Sequence, residues 1–115
     1  MLKEKNRIKK RKEFGYIHKH GDTAFGKNII VLYTYNKFKK VRVGFSVSKK
    51  VGKAYVRNKI KRQLRAIVRL NLDRFPNSTN YVIIAKPTIV DLTYSQMEKE
   101  VLQTIAKVKK VDAEC

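Results

Sequence analysis

The segment from Val56 to Leu70 constrains the fold more than any other part of the sequence, because it separates apolar and basic residues at helical spacing. On a helix that turns by about 100° per residue, its apolar side chains share one stripe. The stripe consists of Val56, Ile60, Leu64 and Ile67. The opposite arc is almost entirely basic. Such a helix must bury its stripe against a second layer while its basic face points outward.

Three other segments have the pattern of β-strands. Val41–Ser48 alternates apolar residues with small or polar ones, as a half-buried strand does. Asn28–Tyr35 is rich in β-branched and aromatic residues, and a turn at Asn36–Lys40 predicts an antiparallel hairpin between these two strands. Tyr81–Ala85 is short and apolar, which predicts a central strand.

Helices are predicted on either side of these strands. The first runs from about Lys9 to Lys19 and is closed by Gly21, and the second from about Val56 to Leu72. The third begins at the capping box Thr93-Tyr94-Ser95-Gln96. Its apolar face holds Met97, Val101, Ile105 and Val108. The order α-β-β-α-β-α predicts a two-layer α+β fold, and a chain of 115 residues is enough for one domain, 1–115, but not for two cores.

The net charge of +19 is distributed unevenly. Residues 1–72 carry 22 basic and three acidic side chains, whereas residues 73–115 carry six of each. No carboxylate side chain occurs from Thr23 to Leu72. A charge this large opposes compaction unless a polyanion neutralises it. We therefore expect one dedicated surface for a polyanion.

The basic arc of the second helix is the strongest candidate for that surface. It contains Asn58, Lys61, Arg62, Arg65 and Arg69, with Arg57 and Lys59 at its edges. Like charges four residues apart destabilise an isolated helix by about 0.2–0.5 kcal/mol per pair, and no acidic residue intervenes. Arginine favours phosphate because its planar fork donates two hydrogen bonds at once. Asn58 suits either a contact with a base or ribose or a cap on the first turn.

The sequence lacks the clusters that a protein catalyst of phosphodiester cleavage needs. Its carboxylates are scattered, so no pair is placed to hold two metal ions, and no P-loop or glycine-rich nucleotide motif is present. His18 and His20 point about 200° apart on a helix, which disfavours the acid-base pair of a protein-only nuclease. We expect neither catalytic residues nor a metal site in this protein.

Nothing in the sequence indicates export or a membrane. Cys115 is the single cysteine, and no apolar signal-peptide core follows Met1. The longest apolar run, Ile29–Tyr33, is far shorter than the about 20 residues that a membrane span needs. A membrane-surface role is also disfavoured, because the basic helix has no bulky face left once it docks. The expected location is the cytoplasm.

The loop before the basic helix and the helix itself resemble the RNR signature of the bacterial ribonuclease P protein family. The stretch at residues 49–65 is KKVGKAYVRNKIKRQLR, and the resemblance continues in VGFSVS at 43–48 and YVIIA at 81–85. The signature triplet is Arg57-Asn58-Lys59, and the family usually has arginine at the third position. Lys59 keeps the charge but lacks the arginine fork.

This resemblance implies an α-β-β-β-α-β-α fold with a mixed sheet and an unusual left-handed β-α-β crossover through the basic helix. It implies the protein subunit of the ribonuclease P ribonucleoprotein, an endoribonuclease that hydrolyses precursor tRNA to remove its 5′ leader. The expected partners are the catalytic RNA and the leader, with no DNA and no membrane. The chemistry would lie in the RNA, where phosphates hold Mg²⁺, so the protein alone would not be catalytic.

The family's two binding regions map onto defined residues of this sequence. The implied RNA-binding residues are Lys49, Lys50, Lys53, Arg57, Asn58, Lys59, Lys61, Arg62, Arg65 and Arg69. The implied cleft for the single-stranded leader consists of Phe14, His18, Val31, Tyr33 and Ser46, with His18 where the family often has a second aromatic residue. Tyr33 and Tyr35 share one strand face, and rings beside cations stack on unpaired bases with about 1–3 kcal/mol per base. Without the family resemblance, Phe14 and Tyr33 fit a role as core residues as well as they fit a role in a cleft.

The alternative function is a structural ribosomal-type or general RNA-binding protein. Such a protein needs the basic helix to bind its nucleic acid, but it does not need an aromatic cleft. The presence of both features favours the ribonuclease P assignment.

Overall fold

The computed structural model describes residues 6–8, 11–36 and 40–108. The helices are α1 (Arg11–His20), α2 (Ala54–Leu70) and α3 (Tyr94–Ile105). The strands are β1 (Asp22–Phe25), β2 (Ile29–Tyr35), β3 (Val41–Val47) and β4 (Thr79–Ala85). Their order, α-β-β-β-α-β-α, confirms the α+β fold that the resemblance implies. The predicted beginning of α1 at Lys9 and the middle of the predicted turn at Asn36–Lys40 lie outside the described residues.

The four strands form one mixed sheet in the order β1-β2-β4-β3. β4 pairs antiparallel with β2 and parallel with β3, so its predicted central position is confirmed. The predicted hairpin between β2 and β3 is wrong, because β4 lies between them. Tyr81, Val82 and Ile83 are all fully buried, and a strand buried on both faces needs hydrogen-bond partners on both edges.

Strand β1 was not predicted, because it has only four residues and two of them, Asp22 and Ala24, disfavour strands. It forms because the chain leaves α1 at Gly21, whose amide donates to Ile17 O at 2.8 Å. The next four residues then pair with β2, from Asp22 opposite Tyr33 to Phe25 opposite Ile30. β1 is therefore an edge strand stabilised by its neighbour.

Helices α2 and α3 cover one face of the sheet, and the main core lies between this face and the two helices. The residues of α2 that are buried there are Ile60, Leu64, Ile67 and Val68. This confirms the predicted stripe except at Val56, which is half-buried. On α3 the predicted apolar face is buried at Met97, Val101 and Ile105, and Val108 is buried just beyond the helix.

Helix α3 is anchored by polar contacts at its start and at its middle. Thr93 and Gln96 form the predicted capping box, with Gln96 N donating to Thr93 Oγ1 at 3.2 Å and Thr93 N donating to Gln96 Oε1 at 2.9 Å. The carboxylate of Glu100 accepts two hydrogen bonds from Asn28, one from its backbone amide at 2.6 Å and one from Nδ2 at 2.7 Å. These bonds fix α3 against the start of β2.

Helix α1 packs on the other face of the sheet and covers part of it. Its buried residue Ile17 joins a second cluster with Ile8, Leu32 and Val82. The short segment 6–8 runs along the free edge of β3, where Asn6 Nδ2 donates to Val41 O at 2.7 Å and Ile8 N donates to Val43 O at 3.0 Å. This segment therefore covers an edge that would otherwise expose unpaired backbone groups.

Tyr81 provides a test of the main core that depends on pH. Its hydroxyl donates to Pro76 O at 2.5 Å, and its ring meets Phe75 edge-on at a centroid distance of 5.3 Å. Burial, together with the nearby Tyr33, raises the pKa of Tyr81 well above its ordinary value of 10.0. Because the fold favours the neutral phenol, this stabilisation is complete below about pH 10 and is lost as the pH rises further.

We expect Tyr81→Phe to lower the free energy of unfolding by about 1 kcal/mol at neutral pH, through loss of one hydrogen bond. Above pH 10 the wild-type protein should lose stability more steeply than the variant, since only the wild type has this buried phenol to ionise. Urea unfolding from roughly pH 8 to 11 measures both effects. Parallel pH profiles for the two proteins would contradict the assignment.

Candidate nucleic-acid interface

The outward side of α2 is a crest of exposed polar residues. Asn58, Arg62 and Arg69 are exposed there, each separated from the next by about one or two helical turns. The sequence contains no carboxylate between Thr23 and Leu72 that would pair with them. The crest therefore presents positive charge to solvent, as its residue pattern predicts.

The side of α2 that faces β3 carries Arg57, Lys61 and Arg65, which are all half-buried. Within the described parts of the chain, Nε of Arg57 and Nε of Arg65 are buried and have no hydrogen-bond partner. A buried donor without a partner costs about 1–3 kcal/mol, and more when the group is charged. Binding of an anion should therefore release more free energy at these guanidinium groups than at a fully hydrated cation.

The side of α2 that faces α3 differs in character. Tyr55, Lys59 and Gln63 line a pocket of about 300 Å³ with apolar residues that include Val90 and Met97. Tyr55 is largely exposed. Lys59, the departure from the family triplet, therefore lies on this side and is separated from the arginines that face β3.

The basic loop before α2 is built by one turn of 3-10 helix at Lys49–Val51. Lys49, Lys50 and Lys53 are exposed, so they extend the basic surface beyond the N-terminus of α2. Gly52 has a φ of 156°, a conformation that side chains disfavour. This glycine lets the chain turn into α2 while keeping the three lysines on the surface.

The α1 side of the sheet contains a candidate cleft. Arg42 on β3 donates to both carboxylate oxygens of Glu13 on α1, with the Nη2–Oε1 distance at 3.0 Å. The Phe14 ring lies directly over Gly44, two residues further along β3. Helix α1 therefore covers the first half of β3 and leaves the second half of this face open.

A row of cross-strand neighbours crosses the open half of that face. Phe25 pairs with Ile30, Ile30 with Ile84, and Ile84 with Ser46. Paired residues in adjacent strands project on the same side of a sheet, so these four side chains form one line from β1 to β3. We call it the open row. Phe25 is 63% exposed, and the other three are half-buried.

The structure does not bring the five predicted cleft residues together. Phe14 and Ser46 lie on the α1 side, and His18 is exposed on α1 one turn beyond Phe14. Val31 and Tyr33 point the opposite way into the main core, with exposures of 0% and 7%. These two side chains lie on the face opposite α1, because alternate residues of β2 face opposite sides and the α1 side receives Ile30 and Leu32.

Phe25, Ile30 and Ile84 of the open row were not among the residues that the sequence pointed to. Phe25 belongs to the strand that was not predicted, and the other two lie in apolar runs that do not alternate. A pairing register was needed to decide which residues face α1, since a shift of one residue exchanges the two faces. The only signal in the sequence was the position of Ser46 among the polar residues of β3.

The described residues form no acid-base or metal-binding cluster on either face of the sheet. His20 contacts the Tyr16 ring at a centroid distance of 4.6 Å, while His18 is exposed without such a contact. Across 6–8, 11–36 and 40–108 there is no group of three or more His, Cys, Asp or Glu side chains able to hold a metal ion. Over the same ranges, no helix is both long and apolar enough to cross a bilayer.

The fold and its surfaces define a class: a small α+β protein with a basic helix on its surface. Residues 2–109 match the family model described as Ribonuclease P. A Finegoldia magna protein named ribonuclease P protein component is 44% identical over 101 residues, covering 88% of each chain. The chain belongs to the bacterial ribonuclease P protein family.

Solved structures of two relatives support the same assignment. The Staphylococcus aureus RNase P protein aligns with a TM-score of 0.82 at 34% identity, covering 90% of this chain and 96% of that one. The RNase P protein from Thermotoga maritima aligns with a TM-score of 0.84 at 27% identity, covering 90% and 97%. The chain is thus the protein component of an endoribonuclease that matures the 5′ end of precursor tRNA, and its partner is the ribonuclease P RNA.

The contact of Phe14 with Gly44 gives a second testable prediction. A Cβ at Gly44 would overlap the Phe14 ring and lie 3.3 Å from Ile8 Cβ, so Gly44→Ala should lower the free energy of unfolding by about 1–3 kcal/mol. Most of that loss should disappear in a Phe14→Ala background, measured by urea unfolding as a double-mutant cycle.

Gly15→Ala is the matched control, because no atom lies within 4 Å of a Cβ at this exposed position in α1. It should raise the free energy of unfolding by about 0.5–1 kcal/mol through helix propensity. If the cost of Gly44→Ala is the same with and without the Phe14 ring, the contact does not position α1.

Proposed function

We propose that this protein binds the ribonuclease P RNA through α2 and its preceding loop, and binds the 5′ leader of precursor tRNA on the open row. The cleavage chemistry belongs to the RNA. The observation that carries the proposal is the pair of half-buried arginines on α2, Arg57 and Arg65, whose Nε atoms lack partners in the described part of the chain.

The basic surface fits a folded RNA because its cations are spread along one helix. Asn58 and Arg62 on the exposed crest of α2 lie four residues apart, a rise of about 6 Å, and Arg69 lies about two turns further along the helix. Side chains spaced in this way along one helix can reach different phosphates of a folded RNA. Counterion release would make the affinity fall steeply with salt.

The open row fits a single strand because it combines an exposed ring with a shallow apolar floor. Phe25 stands at one end, Ile30 and Ile84 form the floor, and Ser46 stands at the β3 end with a hydroxyl for a phosphate or ribose. Stacking of this kind tolerates any base sequence, as a leader that differs between tRNAs requires.

The two surfaces meet at the end of β3. Ser46 of the open row is followed within three residues by Lys49 of the basic loop. A strand lying on the row therefore reaches the cations that contact the catalytic RNA. A general RNA-binding function would explain the basic surface of α2, but it would not explain why this surface adjoins the open row.

In this proposal, Mg²⁺ is bound by the RNA and not by the protein. The described residues contain no cluster of metal ligands, so the ion that assists phosphodiester hydrolysis would be held by RNA phosphates. The role of this chain would be to neutralise phosphates where RNA and leader converge. That neutralisation lowers the concentration of divalent ion needed to bring them together.

The first experiment measures cleavage of precursor tRNA at low Mg²⁺ by a bacterial ribonuclease P RNA, with and without this protein. Strong stimulation is expected only when RNA and protein are both present. Arg62→Gln should weaken binding of the RNA by about 1 kcal/mol, roughly fivefold, and reduce the slope of affinity against salt by about one.

Arg74→Gln is the control for charge, because Arg74 is exposed in the 3-10 turn after α2 and belongs neither to α2, nor to its preceding loop, nor to the open row. It should leave affinity and stimulation near the wild-type values. Equal losses for Arg62→Gln and Arg74→Gln would show that net charge alone drives binding. Absence of stimulation despite tight RNA binding would reject the proposed function.

A separate experiment tests the open row. Phe25→Ala should weaken the affinity of the holoenzyme for leader-bearing tRNA by about 1–3 kcal/mol if one base stacks on the ring, and should not affect leaderless tRNA. Tyr35→Ala removes an aromatic ring of similar exposure that lies at the other end of β2. If both variants behave alike in a binding titration, the row is not the leader site.

A further inference from the structure

A small pocket lies at the free edge of β3, where the N-terminal segment 6–8, α1 and α2 come together. Its volume is about 220 Å³. Arg7 lies on one side, Lys61 and Arg65 on the other, and Phe14 and Gly44 line the side toward α1. Arg7 belongs to none of the residues that the signature motif or the open row identifies.

Among the described residues that line this pocket, three are cations and none is acidic. Among the residues that the structure describes, Nε of Arg7 and Nε of Arg65 are both buried and have no hydrogen-bond partner. The carboxylate of Glu13, the acidic residue of α1, is already held at both oxygens by Arg42. Three cations around one small cavity repel one another, and each is partly removed from water. An anion in the cavity would relieve both costs.

The backbone holds Arg7 in place before any ligand arrives. The residues on either side of it hydrogen-bond to the edge of β3, Asn6 Nδ2 with Val41 O at 2.7 Å and Ile8 N with Val43 O at 3.0 Å. Arg7 itself forms a parallel bridge with Val43. A guanidinium on a fixed backbone loses little conformational entropy when it binds, which favours a specific contact.

We propose that this pocket binds one phosphate of the 5′ leader, with Arg7, Lys61 and Arg65 as its ligands. The inference rests on the proposed function and adds a phosphate subsite to it. Phe14 connects the two regions, because its ring lies over Gly44 beside the open row and also lines the pocket. When the leader RNA lies on the open row, the phosphate that follows the bound nucleotide is directed around the edge of β3 toward α2.

The size and the donors of the pocket favour a phosphodiester of a single strand. A volume of about 220 Å³ equals the space of several water molecules at about 30 Å³ each, which admits a phosphate and its ribose but not a duplex. Two arginine forks and one ammonium offer more donors than a carboxylate can accept, and they match the oxygens of a phosphate group.

The test uses the holoenzyme with Arg7→Gln, Arg7→Lys and the charge control Arg74→Gln. Arg7→Gln should weaken binding of leader-bearing precursor tRNA by about tenfold and reduce the slope of affinity against salt by about one. Affinity for leaderless tRNA and for the ribonuclease P RNA should be unchanged. Arg7→Lys should restore part of the loss, because charge returns without the fork. Arg74→Gln should match the wild type.

A second measurement checks the pocket in the intact wild-type chain. The Nε–H signals of Arg7 and Arg65 in ¹H–¹⁵N NMR spectra should shift on addition of a leader oligonucleotide, and a methylphosphonate at a single linkage should abolish that shift. Far-UV circular dichroism and thermal unfolding should show that Arg7→Gln is folded, since the bonds to β3 come from Asn6 and Ile8.

Three outcomes would overturn the subsite. One is an equal loss of affinity for leader-bearing and leaderless tRNA, and another is no loss at all in Arg7→Gln. The third is a shift of the arginine signals by inorganic phosphate but not by the leader oligonucleotide. All three are distinct from failure of the proposed function, which would appear as absence of stimulated cleavage by the wild-type protein.

Discussion

The parallel pairing of β3 with β4 is the constraint on which the rest of the structure depends. The seven residue pairs from Val41–Thr79 to Val47–Ala85 bring the two strands side by side, and the chain between them must cross the sheet as α2. The apolar stripe of α2 is buried on that crossing, with Leu64 and Ile67 at 0% exposure. Because the stripe is buried against the sheet, the basic arc on the opposite side of α2 faces outward.

The same packing sorts the cations of α2 by their environment. Those on the crest are hydrated, whereas Arg57 and Arg65 are partly desolvated beside β3. Desolvated charges interact more strongly with an arriving anion than hydrated ones do, since less water screens them. The edge of β3 is thus where partly desolvated cations of α2 lie close together. The N-terminal segment 6–8 covers the exposed backbone there and contributes one more arginine.

Much of the fold could be predicted from local patterns. Alternation in Val41–Ser48, the stripe of α2 and the capping box at Thr93 each led to an element that the structure contains. These signals depend on neighbours within a few residues, so the sequence carries them directly. The hairpin between β2 and β3 was predicted because short connections usually join adjacent strands, and this prediction is wrong. The competing demand of a strand buried on both faces, β4, overrode that preference.

The sequence by itself determined the basic helix, the RNR-like signature and the location of the charge in residues 1–72, and these were sufficient for the family. Only the tertiary structure decided which aromatic residues are accessible. Tyr33 and Phe25 have similar apolar character, yet one is in the main core and the other is exposed. The face that each residue takes depends on strand register, which is fixed by long-range pairing and packing. Residues distant in sequence, such as Arg7 and Arg65, meet for the same reason.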